Sequence, residues 1–85
     1  MSILITGSAG FIGFHTTLKY LKSESKKKVI GIDSINNYYD TKLKKKRINI
    51  LKKYKNFEFF KKDLENYKSL EKIFLNNNIK LVINL

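Results

Sequence analysis

The sequence predicts an α/β domain on a parallel sheet, the N-terminal part of a doubly wound fold, and three observations carry that reading. Four short apolar runs recur along the chain, three segments with helical spacing alternate with them, and a glycine-rich turn marks the first strand-to-helix junction. Runs this short, mostly β-branched, aromatic or leucine, suit strands buried on both faces. Alternation at this spacing argues for parallel strands joined by right-handed crossovers. The expected arrangement is β-α-β-α-β-α-β with strand order 3-2-1-4.

Each element follows in order. Ile3–Ile5 is the first strand, and Thr6-Gly7-Ser8-Ala9-Gly10-Phe11-Ile12-Gly13 comes directly after it. Gly7 lets the chain turn tightly, Gly10 leaves its backbone open to a pyrophosphate, and Gly13 permits close packing of helix on sheet. Phe11, Phe14, Leu18 and Leu21 form the stripe of the first helix, and residues 22–28 read as a loop. Val29–Ile32 is the second strand and ends in Asp33; the Asn-rich stretch 34–37 is a loop. A second helix carries Leu43, Arg47, Ile50 and Tyr54 on one face, with Asp40 as its N-cap. Phe57–Phe60 is the third strand, followed by Asp63. The third helix starts at Asn66, presents Leu70, Ile73 and Phe74, and stops at Asn76-Asn77-Asn78. Leu81–Leu85 is the fourth strand.

Strand, glycine turn, helix, strand and acidic residue in that order are the layout of a dinucleotide-binding βαβ unit. The spacing here is G-x-x-G-x-x-G. Phe11 and Ile12 lie in the first helical turn and offer backbone N–H groups and apolar cover. Asp33 ends the second strand, where its carboxylate can accept hydrogen bonds from both adenosine ribose hydroxyls. The same charge repels a 2′-phosphate, so the expected cofactor is NAD rather than NADP. Asp63 and Leu64 follow the third strand on the same crevice, in reach of the adenine.

Composition bounds the remaining possibilities. The chain has 85 residues and no cysteine, so it offers neither a disulfide framework nor a thiolate metal site. No apolar stretch approaches the ~18–20 residues that span a bilayer. The first strand starts almost at Met1, which leaves no room for a signal peptide, and a cytoplasmic setting is expected. The net charge of +11 raises polyanion binding as a competing function. Lysine supplies 17 of the 18 basic residues, and Lys, Asn and Ile together make 37 of 85. That bias fits AT-rich coding and a solvated lysine surface, so no specific nucleic-acid partner is expected.

Thr6–Gly13 resembles the T-G-x-x-G-F-I-G signature of the extended short-chain dehydrogenase/reductase superfamily. Residues 31–47, Gly-Ile-Asp-Ser-Ile-Asn-Asn-Tyr-Tyr-Asp-Thr-Lys-Leu-Lys-Lys-Lys-Arg, resemble the G-I-D-N-L-N-D-Y-Y-D-x-x-L-K-x-x-R segment of the UDP-glucuronate 4-epimerase group. Ser34 stands where that group usually has Asn, and Asn84 where it commonly has His. The resemblance implies a Rossmann fold and an NAD site holding Gly7, Gly10, Phe11, Ile12, Gly13, Asp33, Ser34, Asn37, Asp63 and Leu64. It implies 4-epimerisation of a UDP-linked uronic acid through a transient 4-keto sugar, for surface polysaccharides, in enzymes that are commonly homodimers. A 4,6-dehydratase or reductase of the same superfamily shares this cofactor half.

In that superfamily a Tyr-x-x-x-Lys pair and a Ser/Thr do the acid–base work. Tyr38 and Lys42 match the spacing but sit in the loop after the second strand, on the adenosine side, and are not expected to be catalytic. His15 reads as a structural histidine beside the first helix's stripe. No catalytic residue and no metal ligand is therefore assigned. The expectation is a truncated NAD-binding domain, residues 1–85, that leaves a fourth strand uncovered, is marginally stable and has no turnover. A basic polyanion-binding module and a non-functional remnant are the readings of another class.

Overall fold

The structure, a computed structural model, describes residues 2–23, 27–35, 41–63 and 65–85. Its elements are β1 (Ser2–Thr6), α1 (Phe11–Ser23), β2 (Lys28–Asp33), α2 (Thr41–Leu51), β3 (Phe57–Lys61), α3 (Tyr67–Asn76) and β4 (Ile79–Asn84). The sheet order is β3-β2-β1-β4 with every pairing parallel, as the alternation of runs predicts.

The strands split the core in two, because alternate residues face opposite sides of a sheet. Ile3, Ile5 and Val29 face α1 and α2, packing with Phe14, Leu21, Ile48 and Leu51. Leu4, Ile30 and Ile32 face the other side and pack on Ile73 of α3. Two helices thus cover one face and one covers the other. β1 and β2 are buried on both faces. β3 and β4 are not: Leu81 and Val82 on β4 are 41% and 48% exposed. Only the two central strands of the described sheet are buried on both faces, and not all four as the runs predict, because an edge strand has one neighbour to shield it.

Helix phase departs from expectation in three places. Phe11 is 66% exposed rather than part of the stripe; its ring lies on the outer side of the helix start, edge-on to His15 and beneath the Arg47 guanidinium. The helix buries Gly13, Phe14, Thr17 and Leu21 instead, with Leu18 packed at the margin. In α2 the buried pair is Ile48 and Leu51, while Leu43 and Ile50 are exposed. The four aliphatics of this lysine-rich helix allow two stripes, and the sheet selects the one that places two of them a turn apart. Phe74 of α3 is also largely exposed.

The caps of α3 are as expected. Asn66 Oδ1 accepts from the Ser69 N–H, and Asn77 Nδ2 donates to the Ile73 carbonyl at the far end. The expected N-cap Asp40 lies outside the described residues. The lysines of the described residues are exposed or half-buried, as a solvated surface requires. No helix among the described residues is long and apolar enough to cross a membrane.

Candidate dinucleotide site

The site is built where β1 and β2 end. Gly7 turns the chain with φ +69°, a left-handed conformation that strains any side-chain-bearing residue. Its N–H and that of Ser8 both donate to the Ile32 carbonyl, at 2.8 and 3.3 Å, which lashes the turn to β2. Gly10 N–H then donates to the Gly7 carbonyl at 3.0 Å, and α1 begins.

A Cβ at Gly13 would stand 1.9 Å from the Gly7 carbonyl oxygen. The close approach that Gly13 permits is therefore to the turn's own backbone, not to the sheet. At Gly10 a Cβ would meet only the Gly7 carbonyl oxygen, at 3.3 Å, and otherwise project into open space. That open side, with the unpaired N–H groups of a helix's first turn beside it, is what an anion needs to reach the backbone.

Asp33 is 8% exposed and joins the parts together. Its Oδ2 accepts from the Ala9 N–H at 3.0 Å, and its Oδ1 accepts from the Ile35 N–H at 2.8 Å. Each oxygen keeps a lone pair for a further donor. Lys44 Nζ lies 4.0 Å from Oδ1, so α2 supplies a counter-charge. Ile35 has φ +49°, unusual for a β-branched residue, and the Asp33 carboxylate holds that peptide in place.

A cleft of about 180 Å³ opens beside these groups, lined by Gly7, Ile32, Asp33, Ser34, Lys62, Asp63 and Leu85. The structure thus brings Gly7, Asp33, Ser34 and Asp63 around one crevice, with Gly10, Phe11, Ile12 and Gly13 on the adjoining turn. Asp63 is exposed and its Oδ1 accepts from the Glu65 N–H, shaping the approach to α3. Asn37, Leu64 and Tyr38 lie outside the described residues. Lys42 is exposed at the start of α2, and His15 is exposed with its ring edge-on to Phe11 and Phe14, away from the cleft. No His/Cys/Asp/Glu group capable of holding a metal ion occurs among the described residues.

Four features of the site escaped the sequence reading. Gly31 is required because a Cβ there would meet Ser8 Oγ at 2.7 Å and the Phe57 ring at 2.9 Å; a glycine inside a strand was the available signal. Ser8 Oγ is fully buried without a hydrogen-bond partner. Arg47 Nη1 donates to the Ala9 carbonyl at 3.1 Å, and its guanidinium lies over the Phe11 ring at 5.9 Å. Its signal was to be the single arginine among the lysines. Thr6 Oγ1 donates to Asn84 Oδ1 and accepts from the Leu85 N–H, so Asn84 ties the end of β4 to the end of β1 and sets Leu85 beside the cleft.

A four-stranded parallel sheet in this order, a glycine turn at its centre and a carboxylate at the end of β2 define a Rossmann-type dinucleotide-binding unit. Residues 4–85 match the family described as GDP-mannose 4,6 dehydratase, and the chain belongs to that family. It is 44% identical over 82 residues to a UDP-glucuronate 4-epimerase of Thermodesulfobacterium geofontis, a match covering 96% of the chain and 25% of that protein. Over its whole length it superposes on 26% of UDP-glucuronic acid 4-epimerase from Bacillus cereus, solved with UDP-glucuronic acid and NAD, at a TM-score of 0.87 and 36% identity. It also superposes over its whole length on 26% of dTDP-glucose 4,6-dehydratase from Bacillus anthracis, solved with NAD, at a TM-score of 0.86 and 26% identity. The chain spans about a quarter of the length of the curated relatives it matches.

Proposed function

We propose that residues 1–85 hold the adenosine and pyrophosphate half of NAD in a nucleotide-sugar 4-epimerase acting on UDP-glucuronate. The observation that carries this is Asp33: a buried carboxylate on the cleft, its two oxygens oriented by the Ala9 and Ile35 N–H groups. Free lone pairs on both oxygens suit a vicinal diol. The residues present fit the cofactor, because the glycine turn leaves the space at Gly10 that a pyrophosphate fills.

In this reading the first-turn N–H groups of Phe11, Ile12 and Gly13 bind the pyrophosphate, and Asp33 and Ser34 hold the ribose. Asp63 and Leu64 are assigned to the adenine and Asn37 to the cofactor. Bound NAD supplies a reversible hydride acceptor. Asp33 keeps the site selective, since a 2′-phosphate would bring a second anion against a buried carboxylate. The acid–base residues that act on the sugar are supplied from outside residues 1–85, and these residues alone turn over no sugar.

Epimerisation is favoured by segment 31–47 and by the identity to UDP-glucuronate 4-epimerases. The family description and the dehydratase neighbour support a second reading, 4,6-dehydration of a nucleotide sugar, in which water leaves from C5 and C6 of a 4-keto sugar. Both share the cofactor half, so one assay separates them. UDP-glucuronate incubated with the full-length protein and NAD should yield UDP-galacturonate by chromatography. A 4-keto-6-deoxy product from a nucleotide hexose would overturn the epimerase reading and leave the NAD site standing.

A further inference from the structure

We infer that Arg47 is a positioning residue for the pyrophosphate loop, acting through the Ala9–Gly10 peptide rather than on the ligand. The inference rests on the NAD reading above. Three groups grip that stretch of backbone. Arg47 Nη1 donates to the Ala9 carbonyl at 3.1 Å. The N–H at the other end of the same peptide, on Gly10, donates to the Gly7 carbonyl at 3.0 Å. The preceding peptide is held by Asp33, which accepts the Ala9 N–H at 3.0 Å.

A peptide plane bonded at both its oxygen and its nitrogen cannot rotate without breaking one bond. Gly10 is the residue at which it would otherwise turn most freely, because it has no Cβ. Rotation there would re-aim the N–H groups that follow, which are the anion-binding groups of α1. Arg47 is half-buried and its guanidinium also covers the Phe11 ring at 5.9 Å. The contact therefore couples α2 to the start of α1. A planar, multi-donor cation that stacks on an aromatic ring suits this task better than lysine.

The test uses the full chain and two ligands, ADP-ribose and adenosine, with binding followed by ligand-observed NMR and folding by circular dichroism. Arg47→Met keeps the apolar stem against Phe11 and removes the donor. It should weaken ADP-ribose about tenfold, the scale of one charge-assisted hydrogen bond. Adenosine, held by Asp33, should change less than about twofold, and the dependence of ADP-ribose binding on salt should be unchanged. Arg47→Lys, which keeps a charged donor but not the planar fork over Phe11, should recover part of the loss. Equal weakening of both ligands would make Arg47 merely structural and sink the inference. A shallower salt dependence in Arg47→Met would make it a direct phosphate ligand, which also sinks it. If the unsubstituted chain binds neither ligand, the NAD reading itself fails. Binding by the unsubstituted chain that Arg47→Met leaves intact overturns the inference alone.

Discussion

Single atoms decide much of this site. A methyl group at Gly13 would overlap the Gly7 carbonyl, and backbone cannot retreat as a side chain can. Gly13→Ala should cost at least about 3 kcal/mol and leave the chain largely unfolded in a urea titration. Gly31→Ala is a milder case, since one of its two obstacles is the Ser8 hydroxyl. It should cost about 1–3 kcal/mol, and adding Ser8→Gly should return part of that loss in the same titration. Asp33 carries a prediction about binding. Asp33→Ser removes the negative charge and leaves Lys44 without it at the end of β2. The NAD-to-NADP affinity ratio measured by calorimetry should then fall by tenfold or more, on the order expected when one like-charge repulsion is relieved. An unchanged ratio would remove Asp33 from the ribose site. The residues that carry the fold's signature were legible at this scale, because Gly7, Gly10, Gly13 and Asp33 have few other reasons to occur at that spacing. Arg47, Ser8 and Gly31 were not, because their roles depend on what lies across space.

Helix faces were the least legible feature at the scale of elements. α2 has four aliphatics dispersed among lysines, and periodicity alone cannot say which of them meet the sheet. The structure makes the difference measurable. Ile48→Ala and Leu51→Ala should each cost about 2–4 kcal/mol, as for other buried aliphatics, whereas Leu43→Ala and Ile50→Ala should stay within about 1 kcal/mol. Chemical denaturation of the four variants checks the assignment, and equal costs would mean the helix is rotated from the position described. Strand type and order were legible for the opposite reason. A parallel sheet confines its connections so strongly that alternation, once seen, leaves few topologies.

For the molecule as a whole, site and stability are one question. Asp33 and the glycine turn are core-forming as well as part of the proposed NAD site, so a ligand held there should brace the sheet. NAD at a hundred times its dissociation constant should add about 2.7 kcal/mol, on the order of 10–20 °C in the melting temperature of a domain this size. NADP at the same concentration should shift it far less.

The parallel order also has a consequence in time. β1 is made first yet lies in the interior of the sheet, and the Thr6–Asn84 bond that closes its open side joins residues 78 apart. On a ribosome adding about 5–20 residues per second, that flank stays unpaired for seconds while β2 is already available to the other side. The opening residues of this chain must therefore be soluble long before they are central. A nascent chain arrested ahead of β4 should consequently be captured by holdase chaperones through β1, and one arrested after β4 has cleared the exit tunnel should not.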